Sequence, residues 1–234
     1  MLVNRTVDVM SSLGATLARG GLAARVGTLG PRPERPLELW EFEGCPYCRK
    51  VREALSILDL AVQVWPCPKG GPRYRVELER KAGKAQFPYL ADPNTGKAMY
   101  ESDDIVRYLF KTYGGGQVPW LLAAGVLGDA SSTLASVFRP SVGIRYRPAN
   151  SPARPLELWS FEASPFCRIV REALCTLELP YLLHNVAKGS PGREAFVARS
   201  GKMMVPWLSD PNTGTQLFES ADIVTYLEQT YARR

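Results

Sequence analysis

Two cysteines in the first third of the chain, Cys45 and Cys48, have the spacing of a redox-active thiol pair, in the order Cys-Pro-Tyr-Cys. Residues 37–42 before them alternate apolar and polar side chains, which predicts a strand, and residues 46–58 carry an apolar helical face that begins at a proline. A thiol at a helix N-terminus faces unpaired N–H groups and the positive end of the helix dipole, which favour the thiolate. We therefore predict Cys45, the more exposed sulfur, as a nucleophile and Cys48 as its resolving thiol. The alternative is a pair of small core residues.

The elements that would position these thiols occur twice. Residues 37–55 return as residues 156–174, with 14 of 19 positions identical at an offset of 119. Two further pairs match at an offset of 118: residues 87–96 with 205–214, and residues 100–109 with 218–227. Self-similarity of this extent predicts a duplicated domain.

Each copy predicts the element order strand, helix, strand, helix, strand, strand, helix. In the first copy these elements are expected at residues 37–42, 46–58, 61–65, 72–83, 87–90, 98–100 and 102–113, with Ser102 as the cap of the last helix. This βαβαββα order predicts the α/β class and the thioredoxin topology, a four-stranded mixed sheet flanked by helices. The chain then divides into a leader (1–34), a first domain (35–113), a linker with a short helix (114–154) and a second domain (155–234).

Composition restricts the function classes. The chain has 29 basic and 23 acidic residues, and its longest apolar stretch, residues 118–127, contains a proline and is too short to span a bilayer. No basic and aromatic residues interleave as in a nucleic-acid site. Five cysteines with one Cys-x-x-Cys and a single histidine favour a reducing compartment and argue against a metal site. Of the other cysteines, Cys175 is expected in the core and Cys67, between prolines, at the surface.

Cys-Pro-Tyr-Cys after such a strand resembles the active site of glutaredoxins. The rest of each copy, above all the Glu-Ser pair before the last helix, resembles the N-terminal domain of glutathione S-transferases. The tandem arrangement is similar to double-domain proteins of plants and algae, and the resemblance covers residues 36–113 and 155–231. It implies glutathione as co-substrate and, through the plant likeness, a chloroplast location. It also implies a set of glutathione-binding residues: Phe87 and Pro88 (with a cis bond) for the cysteinyl part, Glu101 and Ser102 for the γ-glutamyl part, and Lys69 for the glycyl carboxylate.

The second copy departs from this pattern because it reads Ser164-Pro-Phe-Cys167. Serine-type transferases use such a hydroxyl to stabilise the glutathione thiolate, so Ser164 has that role or marks a copy kept for structure or binding. The other positions implied for this second site are Cys167, Lys188, Val205, Pro206, Glu219 and Ser220. Residues 114–154 are too few for the helical domain that completes a transferase, so conjugation of xenobiotics is not expected.

The leading hypothesis is a glutathione-linked thiol–disulfide oxidoreductase that acts on protein thiols, with Cys45 as nucleophile and Cys48 as resolving thiol. The alternative of another class is a non-catalytic scaffold that binds a protein complex or a membrane surface through the leader segments. A third hypothesis is an iron–sulfur cluster held at Cys45 with glutathione, as in some glutaredoxins.

Overall fold

The computed structural model describes residues 21–123 and 143–233, together with Met10. The spacing of Val9, Leu13 and Leu17 in the leader and of Leu134 and Phe138 in the linker predicts a weak apolar helical face in each segment, and these residues lie outside the described ones. Each copy of the repeat folds as one unit, called here the first module (residues 37–113) and the second module (residues 156–231).

The first module follows the predicted order of elements. Its elements are β1 (Leu37–Glu41), α1 (Pro46–Ile57), β2 (Val62–Pro66), α2 (Tyr74–Ala82), β3 (Tyr89–Asp92), β4 (Lys97–Met99) and α3 (Ser102–Tyr113), followed by a short helix α4 (Trp120–Ala123). The second module repeats them as β5 (Leu156–Ser160), α5 (Pro165–Thr176), β6 (Tyr181–Asn185), α6 (Arg193–Ser200), β7 (Trp207–Asp210), β8 (Thr215–Phe218) and α7 (Ser220–Tyr231). The predicted α/β fold class is confirmed: each module is a thioredoxin-like unit.

The strands of both modules form one sheet. Within the described residues its order is β4-β3-β1-β2-β6-β5-β7-β8, so each module contributes four neighbouring strands. In each half the first two strands are parallel and the others antiparallel. The halves join where β2 pairs antiparallel with β6, with Gln63 opposite Leu182. This pairing covers the open edge that each four-stranded sheet would otherwise present, and a hydrophobic pattern within one strand does not reveal it.

The two faces of the sheet carry different cores. Leu37 and Leu39 of β1 point into a large cluster that includes side chains of both modules, whereas Trp40 points to the other face and packs with Tyr74 and Leu78. This alternation follows from the two-residue period of a strand. The second module has a separate small cluster on that other face, formed by Trp159, Val186, Phe196 and Trp207. No helix of the described residues is long and apolar enough to cross a membrane.

The segments before each module cross to the opposite module. Val26 donates its N–H to Lys188 O (3.0 Å), and Lys188 donates to Ala24 O (2.9 Å). In the corresponding place, Lys69 donates to Ile144 O (2.6 Å) and accepts from the N–H of Tyr146 (3.0 Å). The modules are therefore tied by backbone hydrogen bonds from these segments as well as by the shared sheet.

Candidate redox site

Cys45 occupies the N-cap of α1, as the strand–turn–helix pattern predicts. Its backbone is extended (φ −76°), Pro46 begins the helix, and its Sγ accepts the N–H of Cys48 at 3.3 Å. A hydrogen bond from the Cys48 thiol lowers the pKa of Cys45; burial opposes this shift, and the Cys48 N–H supports it. The sulfur is less accessible than the sequence suggests, since Cys45 is only 3% exposed.

Cys48 lies one turn further along α1 and is fully buried. Burial raises its pKa well above the ordinary value, and the hydrogen bond that it gives to Cys45 raises it further. The environment therefore separates the two thiols: it lowers the pKa of Cys45 and raises that of Cys48. A lowered pKa suits an attacking thiol, whereas a thiol in the position of Cys48 must lose its proton before it can resolve a disulfide at Cys45.

A buried ion cluster lies beneath the thiols and joins the two modules. Arg52, one turn after Cys48 on α1, bonds to Glu41 of its own module, and its Nε lies 3.1 Å from Glu162 Oε2 of the second module. The repeat produces the mirror contact, Arg171 Nη2 to Glu43 Oε1 at 3.1 Å. Arg171 Nη2 also lies 2.7 Å from Glu162 Oε2. All five side chains are at most 4% exposed, and the buried Arg49 and Arg168 also act on Glu162.

The cluster is asymmetric because the first module contributes one extra acid. In place of Glu41 the second module has Ser160, whose Oγ accepts a hydrogen bond from Arg171 at 3.1 Å. Among the five joined ions, carboxylates therefore outnumber guanidiniums three to two. Burial raises the pKa of Glu41 to about 7, against the opposing effect of Arg52. Burial acts in the same direction on Glu162, but Arg171 and Arg52 outweigh it and lower its pKa to about 2. Of these two carboxyl groups, Glu41 is therefore the one whose protonated form is favoured by burial.

Sequence reasoning missed Glu41 as part of the site. It stands four residues before Cys45 on a strand that reads as ordinary amphipathic sequence. The signal that could have identified it is the comparison of the two copies: within residues 37–55, Glu41 and Cys45 are two of the five positions that change, both to serine in the second copy.

The positions implied for glutathione have the same backbone geometry in both modules. The peptide bonds Phe87–Pro88 and Val205–Pro206 are cis, and Glu101 and Glu219 both have a φ of 65°. Ser102 is wrong as the helix cap: Glu101 is the N-cap of α3, and Ser102 is its first residue. The left-handed backbone at Glu101 turns the chain one residue earlier than a serine cap would, and leaves Ser102 buried within the helix N-terminus.

The second module has a pocket at these positions with a volume of about 260 Å³. Its lining consists of Phe166, Met204, Val205, Pro206, Glu219 and Ser220. In the first module, Gln86 stands where Met204 is and donates from its Nε2 to Glu101 Oε1 at 2.6 Å. The Gln86–Glu101 hydrogen bond is therefore a second difference between the two sites, in addition to the exchange of Cys45 for Ser164.

The second thiol position differs in chemistry but not in geometry. Ser164 is the N-cap of α5, and its Oγ accepts the N–H of Cys167 at 3.3 Å, as Cys45 does with Cys48. Ser164 is 5% exposed and Cys167 is fully buried. The second module therefore has the Ser164 hydroxyl where the first has the Cys45 sulfur.

The remaining candidates are placed as follows. Lys69 and Lys188 are exposed, their backbones are fixed by the crossing segments, and their role toward a carboxylate stays a prediction. Cys67 is buried, not exposed as expected, because its N–H bonds to Glu41 O and its side chain packs beside Trp40 and Tyr74. Cys175 is buried as expected. None of the five cysteines forms a disulfide, and the described residues contain no group of three or more His, Cys, Asp or Glu side chains arranged for a metal.

In a comparison with known protein families, each copy of the repeat matches the same family. Residues 39–117 and 158–234 each match the profile of the family described as glutathione S-transferase, N-terminal domain. No curated protein matches the chain. Among solved structures, glutathione transferase BmGSTD1 of Bombyx mori shares 23% identity over 40% of this chain and 45% of its own, with a TM-score of 0.33. TDR1 of Leishmania, a unique trimeric glutathione transferase, shares 14% identity over 86% of this chain and 68% of its own, with a TM-score of 0.30. The chain spans less than half the length of the Bombyx mori protein.

Proposed function

Because the chain belongs to the family of glutathione S-transferase N-terminal domains, through both of its modules, we propose that it is a glutathione-linked thiol–disulfide oxidoreductase. The observation that carries this proposal is that the two thiols at the start of α1, Cys45 and Cys48, have pKa values shifted in opposite directions. The environment lowers the pKa of Cys45, which caps the helix, and raises that of the buried Cys48. A plain binding module has no need of such a pair.

The reaction proceeds by two thiol–disulfide exchanges. The Cys45 thiolate attacks the glutathione sulfur of a glutathionylated protein thiol, the protein leaves as its thiolate, and a Cys45–glutathione disulfide forms. A second glutathione thiolate then attacks the glutathione sulfur of that disulfide, which releases oxidised glutathione and restores the Cys45 thiolate. Cys45 is 3% exposed, so we expect glutathionylated peptides and flexible protein segments to react faster than disulfides on rigid surfaces.

Cys48 provides a second way to resolve the same intermediate. Its thiol must lose a proton before it attacks Cys45, and its high pKa makes direct loss to water unfavourable. We propose that the Glu41 carboxylate accepts this proton, since Arg52 links Glu41 to the helix one turn from Cys48. The products are a Cys45–Cys48 disulfide and a glutathione thiolate, and two further glutathiones reduce the disulfide.

Glutathione binds, in this proposal, at the cis-proline and the N-terminus of α3. The backbone of Phe87 faces the cysteinyl part, and Ser102 with the free N–H groups of the helix holds the γ-glutamyl carboxylate. We assign glutathione binding without sulfur exchange to the second module. It retains the cis-proline and the Glu219–Ser220 turn beside a pocket of about 260 Å³, but has Ser164 as its helix cap.

The test is reduction of a glutathionylated peptide, coupled to glutathione reductase, in the wild type and three variants. Cys45→Ser should reduce turnover to the uncatalysed rate. Cys48→Ser should retain glutathione-dependent turnover, because the second glutathione resolves the intermediate. Cys167→Ser, the matched control at the same buried position of the second module, should have wild-type turnover. Full activity in Cys45→Ser would overturn the mechanism.

A scaffold role is the second candidate, favoured by the low exposure of Cys45 and by the serine cap of the second module. It predicts no peptide turnover in any variant, although the proteins remain folded by circular dichroism. S-methylglutathione, which cannot exchange sulfur, measures binding to each module. Ser102→Ala should weaken binding to the first module, and Ser220→Ala should weaken binding to the second.

A further inference from the structure

A pocket lies where the two modules meet, on the sheet face that carries α6. Its volume is about 350 Å³, and its lining includes Asp59 from the first module and Trp159, His184, Gly192, Phe196 and Arg199 from the second. None of these residues belongs to the thiol pair, the cis-proline or the Glu-Ser turn. The pocket is therefore separate from both proposed glutathione sites.

The first module shows what fills the corresponding space. Trp65 stands at the strand position of His184, opposite Trp40 as His184 is opposite Trp159. Tyr74 packs on Trp65 with ring centroids 5.2 Å apart and is 8% exposed. The space beside that strand is thus occupied by the phenol ring of a tyrosine.

Three positions are smaller in the second module. His184 replaces Trp65, and Gly192 alone stands where the first module has Arg73 and Tyr74. Asp59 occupies the turn position of Glu178, with nearly the same left-handed backbone (φ 53° and 51°) but one methylene less. Phe196 in place of Leu78 recovers part of the lost volume, but the pocket stays open.

The pocket walls suit a flat ring with one polar group. Trp159 and His184 stack at 4.1 Å and Phe196 lies parallel to Trp159 at 5.9 Å. Asp59 Oδ1 and His184 Nε2 are buried and have no hydrogen-bond partner, although the Asp59 carboxyl also bonds to the Ser190 side chain and Glu157 Oε2 lies 3.7 Å from His184 Nε2. Burial and the nearby Arg199 lower the pKa of His184 to about 4, so the imidazole is neutral at neutral pH. A mostly apolar pocket with a few convergent polar atoms is the usual form of a small-molecule site.

We propose that this pocket binds a small phenol, whose ring takes the place that the Tyr74 side chain has in the first module. The phenol hydroxyl donates to the carboxyl of Asp59, which lines the pocket. The ring packs beside Phe196 and the Trp159–His184 pair. The proposal concerns binding only and does not depend on the redox function.

The experiment is an NMR titration of the full chain with p-cresol, the side chain of tyrosine as a free molecule. Wild type should bind it at millimolar concentration, and toluene, which lacks the hydroxyl, should bind about 3- to 10-fold more weakly. Gly192→Tyr restores the aromatic residue of the first module and should weaken p-cresol binding at least about 10-fold. Gly192 accepts a side chain, since its φ is −72° and a Cβ would meet only Ser190 Oγ, at 3.3 Å.

The matched control is Glu194→Tyr, which adds the same side chain to α6 at an exposed position outside the pocket lining. It should bind p-cresol as wild type does, and neither variant should change peptide deglutathionylation. If Gly192→Tyr does not fold, His184→Trp tests the same point. No binding to wild type at 10-millimolar order, or equal binding to wild type and to the filled pocket, would overturn the proposal. Equal affinity for toluene would remove the role of Asp59.

Discussion

The two modules have the same fold and share 14 of the 19 residues that begin each copy, but they differ at the helix cap and at a buried acid beside it. Cys45 and Glu41 of the first module are Ser164 and Ser160 in the second, whereas Arg52 and Arg171 are retained in both. The retained residues form the ion pairs that hold the modules together. The comparison shows that the two copies share the arginines of the interface, whereas the sulfur at the helix cap is present only in the first.

The largest expected effect comes from moving the sulfur between modules. In a Cys45→Ser background, Ser164→Cys should restore turnover that Cys45→Ser abolishes, because position 164 has the same N-cap geometry. A second glutathione resolves the mixed disulfide at position 164 as it does at Cys45, so the restored turnover should not depend on the carboxylate that Ser160 lacks. The measurement is the glutathionylated-peptide assay. No gain over Cys45→Ser alone would show that the second module lacks more than its sulfur.

The next effect concerns the ion pairs that the modules share. Glu162→Gln leaves Arg52 and Arg171 without one of their buried partners, and should lower the free energy of unfolding by about 3–5 kcal/mol. Glu157→Gln is the control: its carboxylate pairs with Arg199 at 3.1 Å but is partly exposed, so its loss should be at most about 1 kcal/mol. Urea denaturation of both variants checks this. A loss at Glu162 as small as at Glu157 would contradict the importance of the cluster.

Glu41→Gln tests the asymmetry of the cluster through pH. The folded-state pKa of Glu41 is raised to about 7 from an ordinary 4.5. The folded protein therefore keeps a proton that the unfolded chain loses, and the contribution of this group to stability, complete below pH 4.5, is lost as the pH rises to about 7. Glutamine does not titrate, so the variant should be more stable than wild type above pH 7, on the order of 1–3 kcal/mol, with the gap closing toward acid pH.

Thermal unfolding between pH 4.5 and pH 8 measures this difference. The same variant should slow formation of the Cys45–Cys48 disulfide near neutral pH if Glu41 accepts the Cys48 proton. A parallel pH dependence of stability in wild type and Glu41→Gln would show that another group of the cluster holds the proton.

The smallest expected effect comes from side chains of one module that cap a helix of the other. Glu178 of the second module accepts the N–H groups of Arg73 (3.0 Å) and Tyr74 (3.2 Å) at the start of α2. Asp59, in the corresponding turn, makes no such bond to the N–H groups at the start of α6, where the N–H of the cap Gly192 donates to Ser190 Oγ at 3.0 Å. Glu178→Ala should therefore lower the free energy of unfolding by about 1–2 kcal/mol, and Asp59→Ala by less. Equal losses in chemical denaturation would show that the longer side chain adds nothing.

The order of elements in each module could be predicted from sequence because each strand and helix carries its own period and its own terminating residues. The helix at Pro46 begins at the predicted residue, and α3 covers the predicted residues 102–113. Cys67 was wrongly expected at the surface because its exposure depends on Trp40 and Tyr74, which approach it from other elements. Glu101 was missed as the cap because its left-handed backbone is set by the turn after β4 and has no signature in residue type.

The sequence by itself determined the duplicated thioredoxin-like units and the place of Cys45 at a helix start, because these depend on local periodicity, capping and repetition. The tertiary structure decided that β2 pairs with β6, that Glu41 shares a buried cluster with Arg52 and Glu162, and that a pocket opens beside His184. These features arise between segments more than 100 residues apart. The sequence of an edge strand does not specify which strand will pair with it, and a buried charge is stabilised only by the ions that folding brings to it.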